Sequence, residues 1–264
     1  MRLSIITCTI GLFTATPGFA DTCSELFAAI PKLHGSEPLM ASAVGKTYKA
    51  LYDECDAHDQ FAGHRPPTHN GKGLTCSGDR NRIDYLVKYP DSTISFSAKA
   101  SVDADGSKFA CGDAWPNQCA TWLTFDQGSE RNDVNAEDTP FVVVPTPMAS
   151  TGISFQHDTQ IGKGDLAVAF WNGKCSFGVV GDAGPYFRLG EISLRSHADL
   201  GHPRCKKPGQ YPCAAINDVS IPKGVQYLVF PHSRPSPLTS ENVNQVSRSE
   251  AEKRVNEFIK KFAQ

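Results

Sequence analysis

Eight cysteines constrain this chain more than any other feature. The 264 residues contain nine, and the first, Cys8, lies in a short apolar leader. The leader, MRLSIITCTIGLFTATPGFADT, places one Arg before an apolar run from Leu3 to Phe13, then Thr, Pro, Gly and small residues. That order predicts a secretory signal cut near Ala20. The run is too short to span a bilayer. No later segment is long and apolar enough, so the mature chain is expected to be soluble, secreted or periplasmic, with no membrane part. An even number of cysteines in an exported chain favours disulfides. The eight are Cys23, Cys55, Cys76, Cys111, Cys119, Cys175, Cys205 and Cys213. They allow roughly a hundred pairings. Proximity suggests Cys111–Cys119 and Cys205–Cys213 as local staples, with Cys23 and Cys55 tying down the N-terminal segment. There is no CxxC and no partner spacing among the histidines, so no metal site and no zinc is expected.

Loss of Arg2 with the leader leaves 25 basic against 28 acidic residues, a net charge of −3. No basic stripe is present, so a nucleic-acid partner is not expected. Mild acidity suits a cationic substrate.

Along the chain, residues 21–75 read as a helical N-terminal cap and loop. Apolar residues recur at helical spacing over Cys23–Ile30 and Ser42–Phe61. Residues 62–80 are rich in Gly, Pro and Asn and read as loop. His58, His64 and His69 are read as solvated rather than as ligands. A β-rich unit is expected over 76–240. Its strands are Ile83–Lys88, Thr93–Ser101, the buried FVVVP at 141–145, a hairpin over 164–182 turning at Asn172–Gly173, and 224–233. Trp171 and Phe177 are assigned to the core. A stapled loop fills 202–217. Residues 241–264 form an amphipathic helix packed on the domain, with Val246, Val255, Phe258, Ile259 and Phe262 mostly on one face. The fold class is therefore mainly β, a barrel-like core (double-psi is one form) with an N-terminal helical cap and a C-terminal helix, α+β overall.

The stretch GVVGDAGPYFRLGEISLRSHADL, residues 178–200, holds the candidate chemistry. Asp182 and Glu191 sit nine positions apart, each beside a glycine. Paired acids are what glycoside cleavage requires, one to protonate the leaving oxygen and the other to activate water. In a flat hairpin the two would stand roughly 17 Å apart at about 3.3 Å per residue. An inverting pair needs about 6.5–9.5 Å. Residues 183–189 must then fold back, and Glu191 is expected to open a short helix over 191–199. Asp103 and Asp105 lie in a DADG turn that looks like half an EF-hand loop, but the twelfth position is Ala114, so calcium is not expected. Asp113 is the third acid of that region. The three either shape a turn or bind substrate.

With those residues laid out, the chain resembles the glycoside hydrolase family 75 chitosanases. The pieces that carry it run in order: FSAKASVDADGS, NQCATWL, EDTPFVVVP, GKGDLAVAFWNGKCSFGVVGD, GPYFRLGEISL and YLVFPHS. They span about residues 94–233. The resemblance implies endo-acting, inverting cleavage of β-1,4 links in chitosan, and the signal peptide and compact format suggest an exported bacterial member. It makes Asp182 and Glu191 the essential carboxylates and requires no cofactor. The short segment between the two acids, the N-terminal cap and the 202–217 loop depart from the family pattern. Glu191 is assigned as acid and Asp182 as base, with the reverse order left open. Asp103, Asp105 and Asp113 are candidates to bind glucosamine ammonium groups, and the protein is expected to act as a monomer. The alternatives are a hydrolase of another aminosugar polymer such as peptidoglycan, a non-catalytic exported carbohydrate-binding protein, or a disulfide-stapled inhibitor or effector.

Overall fold

The computed structural model describes residues 19–69, 72–73, 75–112, 119–125, 132–207 and 212–263. The leader and Asp113 therefore lie outside the described residues, apart from Phe19 and Ala20. Among the described residues there are five α-helices: α1 (Phe19–Ala29), α2 (Tyr48–His58), α3 (Phe155–Thr159), α4 (Leu194–Asp199) and α5 (Val243–Phe262). Five two-residue strands precede the main body: β1 (Glu37–Pro38), β2 (Met40–Ala41), β3 (Lys46–Thr47), β4 (Thr68–His69) and β5 (Lys72–Gly73). The longer ones are β6 (Tyr85–Lys88), β7 (Ile94–Asp103), β8 (Phe141–Pro145), β9 (Leu166–Trp171), β10 (Lys174–Gly184), β11 (Glu191–Ser193) and β12 (Ile221–Phe230).

Six of these close into a barrel in the order β7-β11-β8-β10-β9-β12, with β12 pairing back onto β7. Two neighbouring pairs are parallel, β7 with β11 and β8 with β10, and the other four are antiparallel. Closure leaves the barrel strands themselves paired on both sides, and β6, with β1 beyond it, extends the sheet from β7. The interior is filled by alternate residues of all six strands, among them Ala98, Ala100, Val142, Ala167, Ala169, Val180, Ile192 and Val225. The small alanines fit where the walls approach closely. Phe96 and Tyr227 stack at 4.4 Å between centroids.

The opposite face of β8, β9, β10 and β12 packs under α1 and α5. Phe141, Val143, Val168, Val179, Leu228 and Phe230 meet Leu26, Val255 and Phe258 there. Fully burying Val255 or Phe258 contributes about 1.5–3 kcal/mol each. This double coverage explains why strands such as FVVVP are apolar throughout. On α5, Val243, Ser247, Ala251, Val255 and Phe258 are buried, while Val246 is only half-buried.

Local staples Cys111–Cys119 and Cys205–Cys213 form as expected. Cys23 joins Cys175, pinning α1 to β10, and Cys55 joins Cys76. Both N-terminal cysteines thus anchor their helices, each to a different partner. The helix expected over 42–61 is shorter. Thr47 caps the N-terminus of α2 by accepting from the Ala50 N–H, so helical geometry cannot extend upstream. Val44 is exposed. No helix among the described residues is long and apolar enough to cross a membrane.

Candidate active site

Asp182 and Glu191 come together through strand register. Asp182 on β10 pairs with Val143 on β8. On the other side of β8, Ile192 pairs antiparallel with Val142, which sets Glu191 beside Val143. Glu191 in turn pairs with Ser101 on β7, and Asp103 lies two residues further along that strand. Residues side by side in a sheet point to one face, as do residues two apart on a strand. Asp182, Val143, Glu191, Ser101 and Asp103 therefore share the outer face of the barrel.

A bulge makes this possible. The register of β10 shifts between Val180 and Asp182. Val180 faces the interior, and simple alternation would send Asp182 inward with it. The extra residue, Gly181, turns Asp182 outward, the kind of re-aiming for which bulges serve. A Cβ on Gly181 would lie 2.5 Å from the Phe141 ring. The segment around Trp122 closes over the bulge: the Leu123 N–H donates to the Gly181 carbonyl and the Trp122 N–H to Asp182 Oδ1, each at 2.8 Å.

Residues 185–190 fold back as the spacing required. Arg188 N–H donates to the Pro185 carbonyl, and Phe187 and Leu189 enter the core. Asn81 fastens the turn by donating to the Phe187 carbonyl and accepting from the Leu189 N–H. Asp56 on α2 holds Asn81 in place. Gly190 has φ +83°, and a Cβ there would lie 2.4 Å from the Lys99 carbonyl oxygen. Only glycine permits that approach. Glu191 then opens β11, not a helix. The segment finds a parallel partner in Ser101–Asp103, and the helix starts at Leu194 with Ser193 as its cap.

These residues line a cleft of about 720 Å³ with Asp79, Asp105, Arg188, Ile216, Asp218 and Ser220. A smaller pocket of about 210 Å³ lies elsewhere, around Arg195 and Asp199. Asp103 is buried and accepts from the Asp105 N–H at 2.7 Å. Carboxylate oxygens of Asp103, Asp105 and Asp182 lie within 4.8 Å of one another. That spacing suits a shared proton or a divalent cation. Burial, reinforced by the Asp182 charge, holds Asp103 well above the usual carboxylate range. Burial and the charges of Asp182 and Glu191 push Asp105 up to about 7. Burial raises Asp182 to about 6, against N–H donors from Ala183 and Trp122 that favour its anion. Burial raises Glu191 to about 7, against the pull of Lys99 and Arg188.

The sequence singled out Asp182, Glu191, Asp103 and Asp105, and all four line this one cleft. Asp79, Lys99, Arg188 and Asp218 were missed. Lys99 sits in an alternating strand where a lysine reads as solvent-facing, and Asp79 and Asp218 come from loops whose placement is set by distant contacts. A carboxyl that keeps its proton near neutral pH can give it up to a leaving group, and one held as an anion by backbone N–H groups can take a proton from water. Scans of the chain against models of known families and against curated proteins find no match.

Proposed function

We propose that the protein is an exported glycoside hydrolase that cleaves β-1,4 links within chitosan, with inversion at the anomeric carbon. The observation that carries this reading is the placement of Asp182 and Glu191 on either side of Val143, facing one acidic cleft. Glu191 Oε2 leans over β8 to within 3.2 Å of where a Gly184 Cβ would stand. Gly184 is two residues beyond Asp182 on the same face of β10, so the Glu191 carboxyl leans across Val143 toward the strand that carries Asp182. Inversion needs the two carboxyls about 6.5–9.5 Å apart, with a water between them.

Glu191 protonates the glycosidic oxygen as the bond breaks. Asp182, anionic and oriented by the Trp122 N–H, takes a proton from water attacking the far side of the sugar ring. Asp79 and Asp218 give the cleft negative potential that glucosamine ammonium groups seek, and Asp105 adds to it as pH rises through about 7. Four cystine pairs fit an oxidising compartment.

The test follows reducing ends released from chitosan by the disulfide-intact protein. Asp182→Asn and Glu191→Gln are each expected to lose about 10²–10⁴-fold in kcat. Proton NMR of early products is expected to show the α-anomer. Full activity in either variant removes that residue from the mechanism. Cleavage of cell-wall glycan without cleavage of chitosan moves the assignment to another aminosugar polymer.

A further inference from the structure

We propose that Asp79, Lys99 and Arg188 are positioning residues that decide whether Glu191 holds its proton. In this set Asp79 draws two cations away from the Glu191 carboxyl. The inference takes its catalytic meaning from the function proposed above, in which Glu191 is the acid.

Lys99 is an unusual residue. It projects from the outer face of β7, yet it is 1% exposed, because the 78–82 loop lies over it. Its backbone N–H donates to the Asn81 carbonyl at 3.1 Å. Its Nζ lies 2.5 Å from Asp79 Oδ2 and donates to the Asp79 carbonyl at 3.0 Å. A buried ammonium is costly unless paired, so Asp79 is what allows Lys99 to remain there charged. Asp79 also accepts from Ser101 Oγ at 3.2 Å and faces Arg188 at 3.9 Å. Ser101 is the register partner of Glu191, and Arg188 precedes Glu191 by three residues on the turn that delivers it. Asp79 thus stands beside Glu191 with one cation on either hand.

The charges around Glu191 come from every neighbouring element. Lys99 and Asp103 lie on β7, Asp105 just after it, Arg188 on the preceding turn, Asp182 on β10, Asp79 on the covering loop and Asp218 on the stapled loop that walls the cleft. Tyr227 on β12 donates its hydroxyl to the Lys99 carbonyl. Lys99 and Arg188 favour the Glu191 anion, while Asp79 and Asp182 oppose it. Removing Asp79 takes away one opposing charge and leaves Glu191 as the acid to pair with the buried Lys99 ammonium, so both effects favour the Glu191 anion. Asp79→Asn lets Glu191 ionise at lower pH, and Lys99→Met makes it hold its proton to higher pH. A role confined to holding the loop would not move the two variants in opposite directions.

The experiment titrates the Glu191 carboxyl by ¹³C NMR in glutamate-labelled full-length mature protein, with the pH–rate profile on chitosan measured in parallel. Asp79→Asn is expected to lower the Glu191 midpoint, and the alkaline limb of the rate profile, by about one pH unit. Lys99→Met is expected to raise both by a similar amount. Should Lys99→Met fail to fold, Arg188→Met, at a half-buried position, is expected to shift them upward as well. Midpoints that stay at the wild-type value, or that move the same way in Asp79→Asn and in the cation variant, overturn the proposal. Opposite shifts of the carboxyl in a protein that leaves chitosan intact uphold the charge set and sink the hydrolase assignment instead.

Discussion

The Glu191 carboxylate reaches across β8 to stand 3.2 Å from the point that a Cβ on Gly184 would occupy, and Val143 Cγ1 is 3.1 Å from the same point. Gly184 has an ordinary backbone conformation and is free of the positive φ that demands glycine. Gly184→Ala therefore adds a methyl group in the one place where it presses on the Glu191 carboxyl and on the residue between the two acids. The expected result is a folded protein whose melting temperature changes little and whose kcat on chitosan falls about tenfold, since small displacements of a reacting group are costly. Unchanged kcat would place the reacting acid elsewhere.

Two carboxyls raised to different extents predict a narrow bell in the pH–rate profile. Glu191 works protonated, so activity falls as pH rises through about 7. Asp182 works ionised, so activity falls as pH drops through about 6. The optimum should lie between these limbs, which belong to the interacting pair rather than to either residue alone. Initial rates in constant-ionic-strength buffers check this. A plateau extending past pH 9 would rule out Glu191 as the acid.

The same burial costs stability. A carboxyl raised in the folded state binds its proton more tightly there than in the unfolded chain, where the midpoint is about 4. Its stabilising contribution is complete below that value and is lost as pH rises through the folded midpoint. Asp105, pushed to about 7, is half-buried and lies at the cleft rim. Asp105→Asn should match the wild type near pH 4 and exceed it at pH 8 by on the order of 1 kcal/mol after solvent screening, about 2–4 °C in melting temperature. Thermal melts of the two proteins at both pH values decide it. A variant less stable at pH 8 would show that Asp105 holds its turn through its charge.

What was legible in the sequence follows the range of the forces involved. The FVVVP strand, the Asn172–Gly173 hairpin and α5 are fixed by local periodicity and turn chemistry, and they appear where expected. The two eight-residue staples were legible because short loops close easily. The Cys23–Cys175 pair, 152 residues apart, carries no local signal. Glycine followed by Glu191 looks like a helix start, and only a parallel partner 90 residues upstream makes it a strand. The outward turn of Asp182 depends on one bulge residue, Gly181, whose need arises from how closely Phe141 packs. The acids themselves were legible as residue types, but the cations that set their charge were not. Lys99 is buried by a loop whose course depends on Asp56 and Asn81.

The stapled loop forms one wall of the cleft, which separates its role from that of the barrel. Ile216, Asp218 and Ser220 face the cleft, and the Cys205–Cys213 disulfide ties residues 204–207 to residues 212–217. Backbone bonds from Lys206 to the Ala215 carbonyl and from Asn217 to the Arg204 carbonyl reinforce it. Glu137 accepts the Cys213 N–H at 2.7 Å, fixing the loop to the segment before β8. In the chain-entropy model a staple of this length contributes about 2–3 kcal/mol. A surface loop can open locally without unfolding the barrel, so most of that loss should appear as local opening. Replacing both cysteines by serine is expected to leave the main melting transition nearly unchanged, to keep kcat within about twofold, and to raise KM for chitosan several-fold as Asp218 and Ile216 lose their fixed positions. Steady-state kinetics with chitosan, paired with hydrogen exchange over residues 204–220, separates these outcomes. Faster exchange with an unchanged KM would show that this wall does not touch the sugar.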